Sequence, residues 1–439
     1  VGAPGNDAGG VNAGQVKVFS GAGQAVLWSV AGTYANGRFG HSVANAGDID
    51  HDGHDDLIVG APFQTTYGRA YVYSGVDGSL LHSLEGVADF LPLMDDLYFG
   101  STVAGGEDLD ADGTPDLMVA GPGSADNHSG AVHLFSGATG ARFRTHVEDF
   151  TDYDYRFGHS LAFIGDVNFD GVCDYAVGAP VDEFVQAVPG YVKTFNGATG
   201  AQMNIKHAPS GAWEFGYSLA AIGDIGGSPS PDLLVGARGV HETGAYGRVY
   251  ANTGTSSTLV ATGASFNAGL GHALSVLGDL DGDGIQEFAA SAVGVWQFYC
   301  DGVQVCRIGD PAPLFTIPCG DSNDRFGYAL ASGDGNGDGL RDLLIGEPGS
   351  FNSSVHSGSV HVVTLVRQPT VYCRAETNSL GCVPQVVTSG SPSASSALSF
   401  DIGASNVLSN KSGMCFYGFR PQQSAFQGGF SCIKPPTLR

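Results

Sequence analysis

Basic residues are scarce in this sequence. Its 439 residues carry 19 Lys and Arg against 44 Asp and Glu, for a net charge of −25. Phosphate contacts need a basic patch, so nucleic-acid binding is disfavoured, as is adsorption to anionic lipid. No stretch approaches 18 consecutive apolar residues, which leaves no membrane-spanning helix and no membrane insertion. The eight Cys form no CxxC pair, which argues against a zinc ribbon or a thioredoxin-like motif. HExxH is missing, as are Arg-Gly-Asp and a phosphate-cradling Gly-rich loop ahead of a helix. Gly320-Asp321-Ser322 lacks the strand–turn–helix setting that a nucleophile needs. The sequence opens on Val1 without an initiator Met or a signal peptide, as expected of a processed product or a fragment.

What the chain does have is Gly (68 residues) together with 42% hydrophobics, a mixture suited to many short strands joined by tight turns. It also repeats itself. Phe-Gly, a small-residue strand, an acidic loop, an apolar triplet and Gly-Ala-Pro recur in that order. Copies start at Phe39, Phe99, Phe157, Phe215, Leu270 and Phe326, and Val1-Gly2-Ala3-Pro4 is the tail of another. Each acidic loop is followed by a strand such as Leu57-Ile58-Val59, then by one such as Gly68 to Tyr73, then by a weaker one such as Ser79 to Leu84. That makes four strands per repeat. The apolar triplets do not alternate with polar residues, which fits sheets covered on both faces.

These motifs resemble the FG-GAP repeat proteins, best known from the heads of integrin α subunits. The resemblance covers roughly residues 1–366. It implies an all-β fold, a seven-bladed β-propeller of four-stranded blades. The first blade lacks its Phe-Gly strand in residues 1–38, and an open sheet edge is sticky. The missing strand is expected from upstream, from the chain's own C-terminus or from another molecule.

The acids of each loop are evenly spaced. Loop one has Asp48, Asp50, Asp52 and Asp56 at positions 1, 3, 5 and 9, with His54 at 7. Loop two has Asp108, Asp110, Asp112 and Asp116, with Thr114 at 7. Loop three has Asp166, Asn168, Asp170 and Asp174, with Val172 at 7. Loop five has Asp279, Asp281, Asp283 and Glu287, with Ile285 at 7. Loop six has Asp334, Asn336, Asp338 and Asp342, with Leu340 at 7. Alternate oxygens on a tight loop converge on one point. Gly at position 6 permits the turn, position 7 can offer its carbonyl, and the acid at 9 closes the shell. Hard oxygen ligands suit Ca²⁺ over Zn²⁺ or Cu²⁺. The resemblance likewise implies calcium between the first two strands of a blade, at about five sites. Loop four, Asp224 to Asp232, has Gly226, Ser228 and Pro229 at positions 3, 5 and 6 and is expected to be empty. Acids without cations would be solvated turns, but five loops in register argue against that.

His41, His159 and His272 share one repeat slot with Ser101, Tyr217 and Tyr328, so a structural role is expected for them. Residues 370–439 hold four Cys and resemble a Cys-containing C-terminal module of secreted bacterial proteins, expected to be a small disulfide-linked all-β unit. The boundary is expected at 367–369. Expected bridges are Cys373–Cys382, Cys415–Cys432 and Cys306–Cys319, with Cys173 either free or paired to Cys300. Asp301-Gly302 reads as a two-residue hairpin turn. Sequons stand at Asn127, Asn352 and Asn410.

Together these features point to a secreted, non-catalytic, calcium-stabilised propeller with an adhesive or structural role, outside the cell or on its surface. Its partner would be a protein or glycan. Two alternatives are a filament subunit joined to copies of itself by strand addition, and a lectin-like or recognition module of a larger enzyme.

Overall fold

In the computed structural model the described residues are 1–365, apart from 22, 87–97, 124–129, 149–155, 182–189, 228–229, 240–245, 255, 266–267, 295–299, 311, 320–324 and 350–357. Four strands beyond residue 365 complete them. Among these residues there are strands and turns but no helix.

Seven antiparallel sheets follow one another along the chain, and they form the seven blades of a β-propeller. Blade two shows the pattern. Its strands Val43–Gly47, Asp56–Ala61, Arg69–Tyr73 and Leu80–Glu85 pair in sequence order. Blades three to six repeat it with four strands each. Blade one has three described strands, starting with Gly2–Ala3, which is a second strand by repeat register. Blade seven has three described strands: Ala329–Gly333, Asp342–Glu347 and Ser359–Val363. The ring closes from blade seven to blade one. A Cβ on Gly21 would stand 2.5 Å from the carbonyl oxygen of Gly335, so only glycine fits there.

Behind the acid that heads them, second strands are largely apolar because both their faces are covered. Asp116–Gly121, Asp174–Ala179, Asp232–Ala237 and Glu287–Val293 are buried end to end. Neighbouring blades share their cores. Ile58 and Leu84 of blade two pack with Leu117 and Val119 of blade three. Burying such side chains contributes about 25 cal/mol per Å² of apolar surface.

The first strand meets the loop through a register shift. In blade two the pairing skips from Asn45–Leu57 to Gly47–Asp56. Blades three to six shift at the same place. Blade seven does not, and its pairing runs straight to Gly333–Asp342. Its repeat is one residue shorter between Phe326 and Asp334 than between Phe39 and Asp48, which leaves no residue to bulge.

Two cysteine and turn expectations are corrected. Asp301-Gly302 is not a hairpin turn. Both residues lie inside the strand Cys300–Arg307, where Gly302 pairs with Ala292 and its φ of +82° makes a bulge instead of a reversal. Cys306 does not bond Cys319. It pairs across from Phe288, faces the core and is a buried free thiol. Cys319 is disulfide-bonded, to a partner outside the described side chains, and Cys173 is free. Register explains this: Val303 pairs with Ile317, so Cys319 runs on toward the start of the Cys300–Arg307 strand, away from Cys306.

Beyond residue 365, Gln385–Ser389 pairs with Asp401–Ser405, and Pro421–Phe426 pairs with Gly429–Ile433. The expected bridges Cys373–Cys382 and Cys415–Cys432 and the three sequons lie outside the described residues and side chains.

Candidate metal centres

Each acidic loop joins the first and second strands of its blade, and its own N–H groups turn the acids inward. In loop one, Asp52 and Gly53 donate their N–H groups to the two oxygens of Asp48, both at 3.0 Å. Asp52 also donates to Asp50 at 3.2 Å, and His54 N–H donates to Asp52 at 2.9 Å. Loop two repeats the scheme. Gly113 donates to Asp108 at 2.9 Å, Asp112 to Asp110 at 3.1 Å and Thr114 to Asp112 at 2.8 Å. Position 4 carries a left-handed backbone. It is His51 at φ +59°, Ala111 at +63° and Phe169 at +63° in loops one to three, and Gly282 and Gly337 in loops five and six. A non-glycine residue there costs roughly 1–2 kcal/mol.

The closing acid has two jobs. Asp56 accepts from Ile49 N–H in its own loop at 2.8 Å and from Gly75 N–H in the turn between third and fourth strands at 2.9 Å. Asp116 does the same with Leu109 at 2.8 Å and Gly137 at 3.1 Å. Asp174 does so with Val167 at 3.0 Å and Gly197 at 2.9 Å. All three acids are buried.

Asp48, Asp50 and Asp56 bring carboxylate oxygens within 4.8 Å of one another, and so do Asp108, Asp110 and Asp116. Packing three anions so tightly shifts their proton affinity. Burial, and then the charges of Asp112 and Asp108, raise the Asp110 carboxyl, although the Asp112 N–H works against them. Burial pushes Asp116 up to about 6, against the N–H groups of Leu109 and Gly137. Burial raises Asp56 likewise. A hard divalent cation relieves this crowding, and a donor set made only of oxygen fits Ca²⁺.

Loops three and six carry Asn at position 3, which replaces one negative charge with an amide. Asn168 Nδ2 donates to Asp174 at 3.2 Å, and Asn336 Nδ2 to Asp342 at 3.4 Å. Otherwise their turns match. Gly171 and Gly339 each donate to the first acid at 2.8 Å, Val172 donates to Asp170 at 3.0 Å and Leu340 to Asp338 at 2.9 Å. In loop five Asp279 accepts from Gly282 at 2.6 Å and Gly284 at 3.1 Å, and Asp283 N–H donates to Asp281 at 3.1 Å. Asp279 and Asp281 bring carboxylate oxygens within 4.8 Å of each other, and Glu287 is fully buried at the head of its strand.

Loop four keeps half of the scheme. Asp232 Oδ2 accepts from Ile225 at 2.9 Å and Gly226 at 3.0 Å. Its Oδ1 is buried without a partner among the described residues.

A family model described as FG-GAP repeat matches residues 39–73, 99–135 and 326–363, which fall in blades two, three and seven. Three blades of the propeller thus match FG-GAP repeats. Integrin alpha-5 of Xenopus laevis is 33% identical over 237 residues, covering 49% of this chain and 21% of that protein. Integrin alpha-8 of Gallus gallus is 29% identical over 231 residues, with coverage of 49% and 21%. Integrin alpha-V of Gallus gallus is 31% identical over 217 residues, with coverage of 46% and 20%. The chain thus spans about a fifth of the length of these curated relatives.

The FG-GAP signature has a visible job. The Phe of Phe-Gly is buried at 39, 99, 157, 215 and 326, and Phe39 and Phe99 bridge to Gly14 and Gly68 of the preceding blade. The Gly N–H then reaches the second strand of its own blade, as Gly40 does to the Gly60 carbonyl at 3.0 Å. The next FG-GAP slot holds His41, His159 and His272. His41 Nδ1 lies 3.3 Å from the Ser101 carbonyl oxygen, and His159 Nδ1 lies 3.1 Å from that of Tyr217. The rings of His159, Tyr217, His272 and Tyr328 follow one another at 4.4, 5.2 and 4.9 Å. Arg238 lies over Tyr217 at 4.3 Å and is paired with the buried Glu214 at 2.8 Å. These imidazoles tie one blade to the next.

Proposed function

We propose that this chain is a calcium-stabilised binding propeller, adhesive or structural in role and non-catalytic, working outside the cell or on its surface. The observation that carries the reading is the convergence of the loop-one and loop-two carboxylates in an otherwise uniform series of acidic turns. Calcium at loops one, two, three, five and six would be held by the position 1, 3, 5 and 9 side chains and the position 7 carbonyl. Five such ions add +10 and take the net charge from −25 to −15. Extracellular calcium modules bind at roughly 10⁻⁴–10⁻³ M, so millimolar calcium suits them. The bonded Cys319 supports an oxidising compartment. Likeness to integrin α subunits supports a protein ligand, with a glycan the other choice. The test is a melt of the purified chain with calcium and with excess chelator. A fall of many degrees on chelation supports the reading, and an unchanged melt ends it.

A filament subunit, joined to its copies by strand addition, is the second reading. It is favoured by blade seven, where Val360 and Val362 of the third strand are 40% and 48% exposed, while the third strand of blade three is buried throughout. Discrete particles at every concentration with calcium present, seen by electron microscopy, would remove it. The division at 367–369, with 1–366 as propeller and 370–439 as a separate module, is tested by limited proteolysis.

A further inference from the structure

Loop one and the residue ahead of it touch loop two in two places and the turn behind loop two in a third. His51 Nε2, at position 4 of loop one, lies 3.2 Å from Thr114 Oγ1, at position 7 of loop two. Gly47, just ahead of Asp48, lies flat against Pro115, just ahead of Asp116. A Cβ on Gly47 would stand 2.7 Å from two carbons of the proline ring. Ile49, at position 2 of loop one, reaches Gly137, with Cδ1 2.7 Å from the point a Cβ would occupy. Both ends of that last contact hold a closing acid: Ile49 N–H donates to Asp56 and Gly137 N–H to Asp116.

The pair differs from the next one round the ring. Leu109 repeats the Ile49 contact onto Gly197, whose N–H holds Asp174. Position 4 of loop two is Ala111, however, which has no polar side chain to reach loop three. The His51 bond is therefore not repeated from position 4 of loop two.

We propose that loops one and two load cations as a coupled pair, with His51 and Thr114 supplying coupling beyond the shared packing. The proposal rests on the calcium reading above. An ion held by Asp48, Asp50 and Asp56 fixes the turn that carries His51. His51 then holds Thr114, which sits 4% exposed between Asp112 and Asp116 with its N–H on Asp112. Loop two meets its own ion with part of its ordering already done, which is positive coupling. The coupling is reciprocal, so an ion in loop two tightens loop one equally.

The test uses the full chain, stripped with chelator and titrated with calcium chloride while its melting temperature is followed. Asp50→Ala disables loop one and Asp110→Ala disables loop two. In the native background the two losses of calcium-induced stabilisation should be less than additive. Loop one should bind calcium on the order of fivefold more weakly once loop two is disabled. Thr114→Val keeps the backbone carbonyl and removes the hydroxyl, and His51→Asn tolerates the left-handed backbone. Either change should bring the losses close to additive. If neither Asp50→Ala nor Asp110→Ala alters the response to calcium, the calcium reading falls and this proposal with it. If both alter it but additively in the native background, calcium stands and the coupling is wrong. Non-additivity that survives both Thr114→Val and His51→Asn overturns the role given to these two residues.

Discussion

Gly137 donates its N–H to Oδ1 of Asp116 at 3.1 Å, so the acid that closes loop two also ties down the turn between the third and fourth strands of its blade. Asp110, by contrast, faces only the crowded carboxylates and their own turn. The two acids should therefore respond differently to calcium. Asp116→Ala strands the buried N–H groups of Leu109 and Gly137 and should cost about 3 kcal/mol even without metal, and more in calcium because a ligand is lost as well. Asp110→Ala removes one of three repelling charges and should leave the metal-free melt unchanged or raise it, while lowering the melt in calcium. Melts of both variants in calcium and in chelator check this. Equal losses for Asp110→Ala under the two conditions would contradict it.

Metal content offers an independent check. The native chain, dialysed against millimolar calcium and analysed by elemental mass spectrometry, should carry about five ions. Asp50→Ala should remove one. Asp224→Ala should remove none, because loop four lacks side-chain carboxylates at positions 3 and 5 and its Asp232 has an oxygen left without a partner. A native content of six, falling to five in Asp224→Ala, would show that loop four binds after all.

Much of this was legible because the repeat writes it out. Acids at every second position, a Gly at position 6 and an apolar triplet identify the loop and the buried strand behind it without any tertiary information. The second job of the closing acid was hidden, since Gly75, Gly137 and Gly197 lie 19, 21 and 23 residues beyond the acids they bond. The left-handed position 4 was hidden because His51, Ala111 and Phe169 do not advertise a positive φ. The misread hairpin at Asp301-Gly302 has the same origin. A Gly with positive φ serves a turn or a bulge equally well, and only pairing with Ala292 shows which. The His51–Thr114 link joins residues 63 apart and leaves no local trace.

Loop four should also tolerate loss of its buried negative charge. Asp232→Asn keeps an acceptor for Ile225 and Gly226 and removes a buried charge whose carboxyl burial already holds above its usual range. Stability at pH 7 should rise, provided loop four holds no ion. The same change at Asp116 should weaken calcium binding. Chemical denaturation of the two variants in calcium separates the cases, and a loss of stability in Asp232→Asn would argue for a bound cation there.

Acid should destabilise the propeller partly through His272. Its ring is 9% exposed and stands between Tyr217 and Tyr328. Burial, with Arg238 and His159 nearby, lowers its pKa from 6.5 to about 3. His159 is lowered in the same direction. Below pH 6.5 the unfolded chain takes up a proton at this residue that the folded chain refuses until about pH 3. The contribution is therefore fully present above pH 6.5 and is lost as pH falls from there toward 3. At pH 5 the loss is about 2 kcal/mol for His272. The raised carboxyl of Asp116 acts the other way, since its burden on the metal-free fold eases as pH falls through about 6. Comparing variants at fixed pH cancels that term. Tyr fills the same slot at 217 and 328, so His272→Tyr should fold and should lose less stability than the native chain between pH 8 and pH 5. Urea denaturation at both pH values in saturating calcium measures the difference. An identical loss in the two proteins would mean that His272 takes up its proton without unfolding the ring.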